Sequence, residues 1–175
     1  MAYKKNVFLV GPMGAGKSTI GKQLAQQLKM EFYDSDREIE ERAGVDIDWI
    51  FDVEGEDGFR VREKNIIEEL TALQPIVLAT GGGAIVEADN RRFLGGRGVV
   101  VYLDTSLEQQ LERTRRDRRR PLISRAEDPE AAIQQLHEER SPLYEDLADY
   151  KISTDQGSVR QVAKQIVDML NTEEV

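Results

Sequence analysis

Between positions 11 and 18 the chain reads Gly-Pro-Met-Gly-Ala-Gly-Lys-Ser, the G-x-x-x-x-G-K-S spacing that cradles phosphate. Glycines at these points let the backbone curl until successive N–H groups face one anion. A helix opening at the lysine adds its positive end. Gly14, Ala15, Gly16, Lys17, Ser18 and Thr19 are therefore the candidate contacts to a nucleoside triphosphate. Lys17 would supply charge at the β- and γ-phosphates and Ser18 a hydroxyl ligand to Mg²⁺. A glycine-rich turn beside a lysine is the plain alternative, but the sequence context favours the cradle. An apolar run at 6–10 precedes the motif, and Ile20, Leu24 and Leu28 follow at helical spacing.

The cradle alone fits a switch GTPase, an ATPase module or a small-molecule kinase. A guanine reader of the form N-K-x-D is missing, because none of Asn6, Asn65, Asn90 and Asn171 precedes a lysine. The D-x-x-G match at 52–55 is short enough to arise by chance. Asp34-Ser35-Asp36 closes a second strand-like run at 31–34, where ligand chemistry gathers in parallel sheets. One acid there could hold Mg²⁺ through water and its neighbour could serve as general base. Helix capping by Ser35 or Asp36 competes with that reading.

Phe51, Phe59 and Arg60 lie close together in sequence, with Glu63 one helical turn past Arg60 and able to fix its guanidinium for carboxylate recognition. Taken alone, this pair reads as a surface ion pair. Gly81-Gly82-Gly83 follows another strand-like run and permits close backbone approach to a ligand, or simply a tight turn. Arginines at 113, 115, 116, 118, 119 and 120, before Pro121-Leu122, repel one another unless an anion joins them. A lid closing over the triphosphate is the natural reading, with a solvated loop or an RNA-binding patch as the alternative. Arg140, ahead of Pro142-Leu143-Tyr144, could be a second carboxylate clamp or a helix-end cation. His137 reads as an exposed helical residue and Trp49 as core.

Placing these groups requires alternating elements. Strands are expected at 6–10, 31–34, 76–79, 99–103 and 151–154. Helices are expected at 17–29, 35–43, 47–51, 59–73, 106–113, 129–140 and 159–170, with a turn at 54–58. That alternation argues for an α/β fold around a mainly parallel sheet.

Composition narrows the chemistry further. With 175 residues and 39% apolar content there is enough chain for one well-buried domain. No cysteine means no disulfide, zinc-thiolate or thiol nucleophile, and a single histidine excludes multi-His metal sites. A net charge of −9 argues against a surface that grips nucleic acid throughout. The apolar run after Lys4 and Lys5 breaks at Gly11, too early for a signal peptide, so a cytoplasmic location is the default.

In order and spacing, these motifs together resemble the shikimate kinase family nearly end to end. The resemblance implies a three-layer P-loop kinase fold in which helices flank a five-stranded parallel sheet of order 2-3-1-4-5. It implies one domain over 1–175, with a substrate-binding region at 34–72 and a mobile lid at 113–126. The implied activity is ATP-dependent phosphorylation of the 3-hydroxyl of shikimate, on the way to chorismate and the aromatic amino acids. Lys17, Asp36 and Arg120 would then be catalytic, and Arg113 and Arg120 would join the loop in holding ATP. Asp36, Phe51, Phe59, Arg60, Gly81, Gly82, Gly83 and Arg140 would hold shikimate. Ser18 would ligate Mg²⁺ directly and Asp34 through water. ATP and shikimate would be the partners of a monomer, with no nucleic acid or membrane involved. Another P-loop kinase, acting on gluconate or a nucleoside monophosphate, is the nearest rival.

Overall fold

Three short runs of β-branched and apolar residues form the centre of the molecule. They are β1 (Val7–Val10), β3 (Ile76–Ala79) and β4 (Val99–Asp104), buried almost throughout. Strands covered on both faces need no polar alternation, which explains their uniform character. β2 (Glu31–Asp34) and β5 (Tyr150–Ser153) are more exposed and lie at the two edges. The computed structural model describes residues 3–116 and 126–173. All pairings are parallel and the order is β2-β3-β1-β4-β5.

Alternate side chains of each strand enter different cores, as the two-residue period demands. Val7, Leu9, Val77, Val99, Val101 and Leu103 pack with α1 (Lys17–Leu28) and α7 (Val159–Glu173). Phe8, Val10, Ile76, Leu78, Val100 and Tyr102 face the other way. They meet α2 (Ser35–Ala43), α3 (Ile47–Leu70), α4 (Ala88–Arg97) and α6 (Pro129–Leu147). A smaller cluster joins Met13 and Ile133 to α5 (Leu107–Arg116). Asn6, buried below β1, donates to the Leu73 carbonyl at 2.7 Å and accepts from Ile76 N–H at 2.9 Å, fixing the opposite edge of the sheet.

Register decides where the site forms. Leu9 stands opposite Ala79 and Asp34 is also level with Ala79. Gly11, Ser35 and Thr80 therefore emerge at one carboxyl edge, which is where parallel sheets bind ligands.

Several sequence expectations are corrected. The helices expected at 47–51 and 59–73 belong to one element, α3, broken in its course by Gly55 with φ 76° and ψ 177°. The helix expected to stop before Pro142 runs on to Leu147, because Tyr144 beyond the proline is buried in the sheet-facing core. α4 and a 3₁₀ turn at Ala84–Val86 had no sequence forecast. α4 contains Gly95 and Gly96 and buries only Asn90, Phe93 and Leu94, so no apolar stripe announces it. Trp49 is 49% exposed rather than core. His137 is half-buried rather than exposed, lining a small pocket that Pro12 and Met13 also line.

Candidate active site

The chain leaves β1 through Gly11 and Pro12 and enters α1 at Lys17. Gly14 and Gly16 hold φ near +78° and +85°, which a side chain would resist. Inside the turn, the buried Lys17 ammonium donates to the carbonyls of Gly11 (2.6 Å) and Pro12 (2.8 Å). The loop opens onto a cleft of about 990 Å³ bordered by Gly14 to Thr19, Asp34, Asp36, Gly81 and Gly82. Arg113, Thr114, Thr154, Gly157, Val159 and Val162 also border it.

Asp34 caps the helix and also meets the phosphate loop. Its Oδ1 caps α2, accepting from Asp36 N–H at 3.0 Å and Arg37 N–H at 3.2 Å, while its Oδ2 accepts from the Ser18 hydroxyl. The cap is thus Asp34, not Ser35 or Asp36. Ser35 instead turns inward, fully buried, and accepts from Gly81 N–H at 3.1 Å. A hydroxyl touching a carboxylate beside a phosphate cradle is an all-oxygen donor set that suits Mg²⁺, a cation that keeps waters and shares its shell with phosphate. Among the described residues no cluster of three or more His, Asp or Glu offers a separate metal cage.

The glycine run lies against charged side chains. A Cβ on Gly81 would fall 2.6 Å from Asp36 Oδ1 and 3.1 Å from Glu63 Oε2. One on Gly83 would overlap the Arg60 guanidinium, and one on Gly82 would lie 3.7 Å from Arg140 Nη1. Gly81 and Gly83 are therefore close-approach positions, whereas Gly82 would meet a Cβ only at ordinary contact distance. Phe51, Phe59, Arg60, Gly83 and Arg140 are not among the residues bordering this cleft, although Arg140 lies beside Gly82, which is, and Arg60 beside the adjoining Gly83.

The Arg60–Glu63 pair is not a surface pair. Arg60 Nη1 lies 2.9 Å from Glu63 Oε1, and the Glu63 side chain is wholly buried. Arg60 also sits over the Phe59 ring at 5.3 Å, and Phe59 meets Phe51 with ring centroids 4.9 Å apart. Arg140, 6% exposed, occupies the body of α6, so it is no helix-end cation. Arg113 donates to the Gly14 carbonyl. Arg120 and most of the proposed lid lie outside the described residues.

Burial pushes the Glu63 carboxyl up to about 7 from its ordinary 4.5. Arg60 opposes the rise and Asp36 adds to it. Between those two pH values the folded protein holds a proton that the unfolded chain releases. Glu63 therefore contributes stability fully below about pH 4.5 and loses it as pH rises through about 7. Urea midpoints of the wild type relative to Glu63→Gln should fall between pH 5 and pH 8. A difference independent of pH would refute the buried-carboxyl assignment.

Sequence reasoning reached most of this constellation but gave Glu63 only the task of holding Arg60, and gave Ser35 and Tyr144 none in the site. The signal for Glu63 was its i+3 spacing; nothing local marked its depth. The part of the cleft border at Thr154, Gly157 and Val159 also carried no readable motif.

A parallel sheet with a phosphate loop after its first strand, paired acids after its second and close-packed glycines after its third defines a P-loop kinase. A family model described as shikimate kinase matches residues 13–171. The chain belongs to the shikimate kinase family. A shikimate kinase of Histophilus somni is 60% identical over 171 residues, spanning 98% of each chain. One from Pasteurella multocida is 58% identical with the same coverage. Among solved structures, shikimate kinase from Acinetobacter baumannii in complex with shikimate superposes with a TM-score of 0.95 at 51% identity, over 98% of this chain and 95% of that one. A gluconokinase from Sinorhizobium meliloti, with a TM-score of 0.60 at 15% identity over 98% of this chain and 94% of that one, shares the fold alone.

Proposed function

We propose that this cleft transfers the γ-phosphoryl group of ATP to the 3-hydroxyl of shikimate, with the roles divided among the residues as follows. Gly14 to Thr19 wrap the phosphates, and Lys17 neutralises charge as the phosphoryl group moves. Asp36 orients the acceptor hydroxyl and takes its proton. Arg60 and Arg140 bind the carboxylate of shikimate, Gly81, Gly82 and Gly83 form the floor, and Phe51 and Phe59 back the ring. Arg113 flanks the nucleotide base, and Arg120 adds positive charge at the transferring group from the lid at 113–126.

Ser18 and Asp34 would hold Mg²⁺, directly and through water respectively; the ion's chemistry is to neutralise developing phosphate charge. Positioning and electrostatics carry most of the acceleration, as phosphoryl transfer demands little covalent work from the protein.

The observation that carries the reading is that one cleft joins the phosphate loop to Asp36, Gly81 and Gly82, with Arg140 beside Gly82 and Arg60 beside the adjoining Gly83. A small hydroxylated acid is the acceptor such charges suit. Membership of the shikimate kinase family supports shikimate as that acceptor, in the step leading to chorismate and the aromatic amino acids. The same reading takes the chain as one domain, 1–175, with its substrate-binding region at 34–72, acting as a cytoplasmic monomer. Among the described residues no helix is long and apolar enough to cross a membrane.

A coupled ADP-release assay with shikimate, gluconate and a set of nucleoside monophosphates tests the function. Turnover with shikimate alone is expected; preference for any other acceptor would overturn the assignment. Size-exclusion chromatography with light scattering tests the monomer.

A further inference from the structure

Two buried hydroxyls pin the glycine run from opposite sides. Ser35 sits between Asp34 and Asp36 and accepts the Gly81 N–H at 3.1 Å. Tyr144, 2% exposed and one helical turn beyond Arg140, donates its hydroxyl to the Gly82 carbonyl at 2.6 Å. The Tyr144 ring is held by Tyr102 of β4, with centroids 5.1 Å apart. Burial drives its phenol well above the ordinary value, so the hydroxyl keeps the proton it donates.

These anchors come from the two elements that carry opposite charges of the site. Ser35 belongs to the helix start bearing Asp36, and Tyr144 to the helix bearing Arg140. Asp36 lies against Gly81 and Arg140 against Gly82. Displacing the run therefore changes the spacing between acid and arginine, although neither hydroxyl borders the cleft.

We propose that Tyr144 is a positioning residue for the acceptor half of the site. Its hydroxyl fixes Gly82 and, together with the Ser35–Gly81 bond, sets the separation of Asp36 and Arg140. This rests on the reading of the cleft as the shikimate site. A ring needed only as core filling would be replaced by phenylalanine without kinetic effect, because the aromatic packing survives.

Tyr144→Phe is expected to raise KM for shikimate roughly five- to tenfold, the effect of one lost buried hydrogen bond, while KM for ATP stays unchanged. Tyr102→Phe is the control. Its hydroxyl bonds to Asp104 at 3.3 Å instead of to the run, and its removal should leave both KM values unchanged. Ser35→Ala removes the opposite anchor and should repeat the shikimate-selective rise, which keeps the test decisive if Tyr144→Phe does not fold. Equal behaviour of the two tyrosine variants, or a parallel rise in both KM values, would overturn the proposal alone. A wild-type enzyme inert toward shikimate would overturn the parent reading with it.

Discussion

Lys17→Met is expected to cut kcat by roughly a hundred- to a thousandfold, the typical effect of removing one charged donor aimed at a developing anion. Methionine keeps the unbranched stem that fills the turn, so the substitution removes the ammonium and little volume. Lys17 also donates to the Gly11 and Pro12 carbonyls, and it could therefore act as a strut for the loop. The two roles separate in steady-state kinetics. A strut supports ground-state binding, so its loss raises KM for ATP with kcat preserved. A charge that matters in the transition state lowers kcat and kcat/KM together. A fall in kcat of less than tenfold, with folding verified by circular dichroism, would remove Lys17 from the catalytic set.

Arg60→Ala should raise KM for shikimate at least about thirtyfold, as expected for truncating one partner of a buried charge pair. KM for ATP should barely change. Two losses combine, since the carboxylate of the acceptor loses its fork and Glu63 loses the counter-charge 2.9 Å away. An unpaired buried carboxylate costs about 3–5 kcal/mol unless it takes up a proton. Glu63, already pushed up to about 7, has that escape, so the thermal midpoint should fall more at pH 8 than at pH 6. Arg60→Lys retains the charge without the planar fork and should lie between wild type and alanine. Equal losses for ATP and shikimate would contradict the assigned role.

The parts of the site legible in sequence are those set by local geometry. The phosphate loop needs eight adjacent residues and a strand–helix junction, all visible in the chain itself. The position of Asp34 and Asp36 follows from the end of β2. Arg140 was ambiguous because its status depends on whether the helix survives Pro142. That outcome is decided by the burial of Tyr144 against residues far away in sequence, a tertiary effect that outweighs the missing N–H of proline. Glu63 looked like half of a surface pair because i,i+3 spacing says nothing about what covers it. Its cover is the run at Gly81–Gly83, packed close enough to exclude any Cβ at Gly81 or Gly83. Trp49 was misplaced for the converse reason: a large indole is usually interior, yet here it projects from the outer turn of α3.

That outward indole has a practical consequence. Trp49 is the single tryptophan of the chain, and its neighbours Ile47 and Asp48 border the cleft. Intrinsic fluorescence excited at the red edge therefore comes from one address, on the stretch of α3 before the break at Gly55. The protein thus carries its own optical reporter beside two residues of the cleft border, available to ligand titrations without an attached dye.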